Sequence, residues 1–164
     1  MSQSKQRWAK ELFTQSEFHL DMLKKIQDKG FVTIGIQPEE DNFPFVYTVG
    51  LADKGMPDLI VVGNMSQSLM STIIIKVAKL FEENGPTVGI IEGLIKVPLK
   101  IVSVDPEIVA DKMLVTDAYN AYKAHDNYFV QILWPDEEGR FPDNVNFSKK
   151  FADATEILPL RKAH

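Results

Sequence analysis

The stretch FVTIGIQPEEDNFPFVYTVGLADKGMPDLIVVG, residues 31–63, decides the fold class. It holds three apolar, β-branched runs: FVTIGIQ (31–37), FPFVYTVGL (43–51) and DLIVVG (58–63). Only PEEDN and the turn around DKGMP separate them. Parallel neighbours need crossovers of a dozen or more residues, so connections this short point to antiparallel pairing. DLIVVG has no polar alternation after its aspartate, which is the pattern of a strand buried on both faces. In FPFVYTVGL, alternation puts Phe45, Tyr47 and Val49 on one face and Val46, Thr48 and Gly50 on the other. Thr48 and Gly50 are small, so that face admits a close neighbour, a packed helix or a ligand.

Towards the N-terminus, Thr14-Gln-Ser-Glu17 has capping-box spacing with Phe13 and Phe18 as a hydrophobic staple. A helix over 16–29 follows, with Trp8 and Leu12 in a preceding turn and Gly30 as its stop. Towards the C-terminus, Asn64 or Ser66 caps a helix to about Glu83. Leu69, Met70, Ile73, Ile74, Val77, Leu80 and Phe81 recur in it at helical spacing. TVGII (87–91) and LIKVPLKIVSV (94–104) read as strands joined by a Glu92-Gly93 turn, with Pro98 marking an edge or a bulge. Asp105-Pro106-Glu107 starts a helix to about Ala124 that breaks near Val115-Thr116. YFVQILW (128–134) is the last strand, and 144–164 carries no clear pattern. These readings give a single α+β domain: a mainly antiparallel sheet of five or six strands with helices packed on one face.

The final strand runs into QILWPDEEGRFPD (131–143). Pro135 cannot donate to a ladder, so pairing fades there, and Gly139 suits a turn. Trp134 shares a strand face with Val130 and Ile132 and is expected to be buried. Arg140 has Asp136, Glu137, Glu138 and Asp143 within reach. It either fixes the turn by pairing with one of them or grips a carboxylate or phosphate with its planar fork.

Composition narrows the function. With 18 Lys plus Arg against 23 Asp plus Glu, the formal charge is −5, which speaks against duplex nucleic acid. The absence of cysteine removes disulfides, thiolate metal sites and Cys nucleophiles. MSQSKQRWAKEL lacks the apolar core of a signal peptide, and no apolar run approaches the roughly 20 residues that span a bilayer. A cytoplasmic protein without a membrane segment is expected. There is no P-loop, GxGxxG, HExxH, GxSxG or EF-hand loop.

Histidines stand at 19, 125 and 164 only. His19 lies on an apolar helical face, the setting of a hydrogen-bonded core histidine. His125, in AHDNY, suits a helix C-terminus, where positive charge is favourable. As a general base it would need a partner and a cleft. Tyr47, His125 and Asp136 are the candidate proton handlers. Thr48, Gly50, Asn64 and Arg140 are the candidate ligand contacts, Asn64 through the N–H groups where the following helix begins.

FPFVYTVGL, PDLIVVG and QILWPDEEGRFPD, in this order and spacing, resemble the bacterial domain-of-unknown-function family 4262 over roughly residues 28–160. The resemblance implies that Tyr47, Thr48, Gly50, Leu51, Pro57, Gly63, Gln131, Trp134, Pro135, Asp136, Gly139, Arg140 and Pro142 match the family motif. It brings no established activity with it. Gly55-Met56-Pro57-Asp58 stands where the family pattern has Gly-His-Pro-Glu, and Asp143 stands where it has an aromatic residue. This chain therefore lacks any histidine role there and keeps a shorter carboxylate.

Three functions compete. The leading one is a non-catalytic binding module for a small anionic ligand or a protein partner, with a homodimer through the edge near Pro98 as one form. The second is an enzyme on a small anionic metabolite, with a pocket between YTVGL and WPDEEGR. The third, by fold analogy, is a flavin-binding split barrel, which a yellow purified protein would reveal. The first two call for no cofactor, and no metal is expected. EDTA is accordingly expected to leave the melting temperature unchanged; a large drop in a thermal scan would contradict a metal-independent fold.

Overall fold

The computed structural model describes residues 24–37, 43–104 and 129–149. The 14–17 capping box, Trp8, Leu12, His19, the 38–42 loop, the helix over 105–124, His125, Tyr128, His164 and the tail beyond 149 lie outside the described residues. Helical residues 24–29 (α1) lead into β1 (Val32–Ile36) and β2 (Phe45–Val49). A 3-10 turn, Leu51–Lys54, precedes β3 (Asp58–Val62). The long helix α2 (Gln67–Asn84) is followed by β4 (Gly89–Ile91), β5 (Leu99–Val104) and β6 (Phe129–Leu133).

The strands form one six-stranded sheet in the order β1-β2-β3-β6-β5-β4. Every neighbouring pair is antiparallel except β3–β6, which is parallel through Asp58↔Phe129, Leu59↔Val130 and Ile60↔Gln131. The fold is α+β with a mainly antiparallel open sheet, as the short connections require. Central strands β2, β3 and β6 are buried at every position.

Strand alternation sorts the core into two layers. Phe45, Tyr47, Val49, Ile60, Val62, Val104 and Phe129 cluster on one face, joined by Ile26 of α1. Val46, Leu59, Val61, Leu99, Ile101, Val130 and Ile132 point to the other, beneath α2. From α2 come Met70, Ile73, Ile74, Val77, Ala78 and Phe81. Leu69, counted from its spacing among the apolar positions, is about half exposed at 48%.

Three local readings change. Ser66, not Asn64, caps α2: its Oγ accepts from the Leu69 N–H at 3.1 Å, while Asn64 stays exposed. The β4–β5 connection is no tight Glu92-Gly93 hairpin, because Leu94–Val97 form bends and β5 begins only at Leu99. Pro98 therefore ends the connection; it has no N–H for the ladder, which starts one residue later. The sheet edges are β1 and β4, so the strand following Pro98 is an inner one.

The small side chains after Tyr47 have separate purposes. A Cβ on Gly50 would stand 3.1 Å from the Gly30 carbonyl oxygen and 3.2 Å from Ile26, at φ +116, so only glycine lets the end of α1 come this close. Thr48 is buried and organises the β2–β3 connection. Its hydroxyl donates to the Asp58 carboxyl at 2.9 Å and accepts from the Leu59 N–H at 2.9 Å. Asp58 also accepts from the Leu51 N–H at 3.2 Å, anchoring the 3-10 turn above β3. Thr48→Val keeps the shape but strands the Leu59 N–H. A loss of about 1–3 kcal/mol in urea unfolding is expected, as for a buried donor left unsatisfied.

Candidate functional site

β6 ends where Trp134-Pro135 leaves the ladder, and the turn that follows is built on one carboxylate. The Asp136 backbone N–H donates to the Arg140 carbonyl at 2.8 Å, and the Gly139 N–H donates to the Asp136 carbonyl at 3.1 Å. Gly139 takes φ +78, which its missing Cβ permits. The Asp136 side chain is wholly buried and collects four donors. Its Oδ1 accepts from the N–H groups of Glu138 and Arg140, each at 2.9 Å. Its Oδ2 accepts from Arg140 Nε at 3.1 Å and from the Ser148 N–H at 2.9 Å. Two further turns, closed by Asn144 N–H to Phe141 O and Phe147 N–H to Asn144 O, bring Ser148 back to this carboxylate.

Burial alone would raise the Asp136 pKa. The backbone N–H groups of Arg140, Ser148 and Glu138, together with the Arg140 side chain, outweigh it and hold the pKa at about 2, down from 3.8. Such a carboxylate is a poor base near neutrality, and its lone pairs are already committed. Asp136, one of the candidate proton handlers, thus acts as the nucleus of the turn.

The other candidates are dispersed. Tyr47 is fully buried in the α1-side cluster, and Thr48 is fully buried beside Asp58. Tyr47 pairs with Ile60, which pairs with Gln131, so these three share a row across the sheet. From this row β2 runs toward the Phe129 end of the sheet, while β6 runs the opposite way into Trp134. Five residues at roughly 3.3 Å each put about 17 Å of strand between Phe129 and Trp134. The expected pocket between YTVGL and WPDEEGR is therefore not formed: antiparallel β2 and β6 carry the two motifs to opposite ends. Gly50 lies against α1, and exposed Asn64 follows β3 at the end of the sheet where β6 runs into Trp134. Trp134 is half-buried against the α2-side cluster containing Val130 and Ile132.

Arg140 lines a concavity. An open groove of about 400 Å³ is lined by Ile90, Lys100, Gly139, Arg140, Phe141, Asp143 and Asn144. It lies on the sheet face opposite α2: Ile90 pairs with Lys100, whose alternation partners Val102 and Val104 join the other cluster. Lys100 forms an ion pair with Asp143, tying the turn to β5. The Arg140 side chain is 37% exposed, is held at Nε by Asp136 and belongs to the groove lining. Sequence reading missed Lys100, Asp143 and Ile90 as groove residues. Their separation of up to 53 positions conceals the grouping, and only the alternation of Lys100 with apolar neighbours hinted that it faced outward.

Among the described residues no group of three or more His, Asp or Glu side chains could hold a metal ion, and no helix is long and apolar enough to cross a membrane. The Asp136 network gives a pH expectation. Its folded pKa lies below the unfolded value, so its contribution is full above about pH 4 and is lost as pH falls through about 2. Asp136→Asn is expected to flatten the stability–pH curve in that window; urea unfolding from pH 5 to 2 measures it, and parallel curves for both proteins would contradict the network.

No curated protein and no solved structure matches the chain. A family model described as Domain of unknown function (DUF4262) matches residues 25–148, from α1 to the Ser148 that closes the Asp136 turn. With most of its length covered, from the first described helix through the whole sheet, the chain belongs to the DUF4262 family.

Proposed function

We infer that this chain is a non-catalytic binding module that receives an anionic group, carboxylate or phosphate, in the groove between the 139–144 turn and the β4–β5 edge. The observation that carries this reading is the preorganised Arg140. A buried carboxylate holds Nε, so the guanidinium loses little freedom on meeting a ligand, and its outer edge suits a planar two-oxygen anion. Lys100 adds a second cation in the same groove, while Asp143 balances it until an anion competes. Binding without catalysis is favoured because the groove brings together anchoring charges but neither Tyr47 nor an available base.

Titration of the isotope-labelled protein with citrate and inorganic phosphate, followed by amide NMR shifts, tests this. Saturable shifts confined to residues 139–144 and neighbouring β5 are expected. Arg140→Lys should keep the folded spectrum and weaken binding by about tenfold, since an ammonium cannot reproduce the fork. Lys100→Gln should weaken it less. Absence of saturable shifts, or undiminished binding by Arg140→Lys, would overturn the reading.

A further inference from the structure

Asn84-Gly85 is the one asparagine–glycine step in the chain. Every other asparagine precedes a residue that carries a side chain, which shields the backbone nitrogen. Glycine has no such shield and turns freely, so its nitrogen is the easiest for a neighbouring side-chain amide to meet. The fold puts this step at an exposed junction. Asn84 is the last residue of α2, and Glu82, Glu83 and Asn84 are all exposed. Gly85 caps the helix at φ +84, and a Cβ placed on it would find no atom within 4 Å, so no other group packs over that side of the cap.

One hydrogen bond restrains the step. The Gly85 N–H donates to the Phe81 carbonyl at 2.8 Å, and the nitrogen must give up that bond and its proton before it can attack. Helix ends open more readily than helix centres. The last turn of α2 holds Glu82 and Glu83 at the negative end of the helix and no basic residue, which favours opening. Lys54 of the 3-10 turn opposes this by pairing with Glu82 at 2.8 Å, but both side chains are 40% exposed and such a pair adds little.

We propose that Asn84 is a site of spontaneous deamidation, gated by the C-cap of α2. When the last turn opens, the Gly85 nitrogen loses its proton to solvent base and attacks Cγ of the Asn84 side chain. The Cγ–N bond breaks, ammonia leaves, and a succinimide ring closes over the two residues. Water then opens the ring at either carbonyl, leaving aspartate or isoaspartate at position 84. Water is the only co-reactant. Both products set a third carboxylate beside Glu82 and Glu83, where the helix dipole opposes it, and isoaspartate also inserts a methylene into the main chain. The modification thus loosens the joint between α2 and β4, the strand whose Ile90 lines the groove. Nothing in this chemistry depends on anion binding there.

Incubation of the full chain at mildly alkaline pH tests the site, with peptide mapping by mass spectrometry and enzymatic methylation to detect isoaspartate. Asn84 is expected to convert before any other asparagine, giving a mixture of the two acids. The folded rate should be about tenfold or more below that of the free peptide Glu-Glu-Asn-Gly-Pro-Thr and should reach the peptide rate in unfolding urea. Asn84→Asp, which isolates the added charge, should speed exchange of the Gly85 amide by about two- to fivefold. Earlier conversion of another asparagine overturns the proposal. So does a folded chain that stays unmodified while its urea-unfolded form converts at the peptide rate. Equal rates in the folded chain and the peptide overturn the gate, and unchanged Gly85 exchange in Asn84→Asp overturns the loosening.

Discussion

Parallel pairing of β3 with β6 is the constraint on which the molecule depends. It joins two antiparallel halves, β1-β2-β3 and β6-β5-β4, that each arise from neighbouring segments. Because β3 and β6 lie at the centre, every residue of each is buried, and all but Asp58 and Gln131 are apolar. The chain between them, from Gly63 to Tyr128, includes α2, which covers one face with Met70, Ile74, Val77 and Phe81. Slipping the β3–β6 register by one residue would exchange the two core layers and set Gln131 beneath α2.

A buried central strand must also end, and its ending forms one wall of a groove. Pro135 stops the ladder; Asp136 then replaces the lost strand partners with four donors drawn from residues 138, 140 and 148. The same carboxylate that closes the chain reversal steadies the Arg140 guanidinium. In the proposed binding reading, structural closure and ligand presentation are not alternatives at this turn: the Nε of Arg140 is used for the first, and the rest of the guanidinium is assigned to the second.

The polar groups divide accordingly. Thr48 and Asp58 are spent on the β2–β3 connection, where the Thr48 hydroxyl accepts from the Leu59 N–H and Asp58 Oδ1 accepts from the Leu51 N–H and the Thr48 hydroxyl. Lys100 and Asp143 bind the turn to β5 at a half-exposed position, where the pair remains open to competition by another anion. Depth thus separates the two networks: the inner one is buried, and the outer one borders a groove.

Sequence by itself determined the strands of residues 31–63 and their sidedness. The short links of residues 31–63 required antiparallel pairing, DLIVVG required a two-sided burial, and the alternation of Phe45, Tyr47 and Val49 named a core face. WPDEEGRFP required a strand stop with Arg140 near Asp136. These are local consequences of strand periodicity, missing proline donors and turn chemistry. Tertiary structure decided which ends of the strands meet. Parallel β3–β6 pairing sent YTVGL and WPDEEGR to opposite ends of the sheet, so the resemblance of motifs could not show whether they share a pocket. It also made β4, rather than the strand after Pro98, an edge, and brought Ile90, Lys100 and Asp143 beside Arg140. Strand order depends on contacts between segments far apart in sequence, and no local pattern of side chains encodes it.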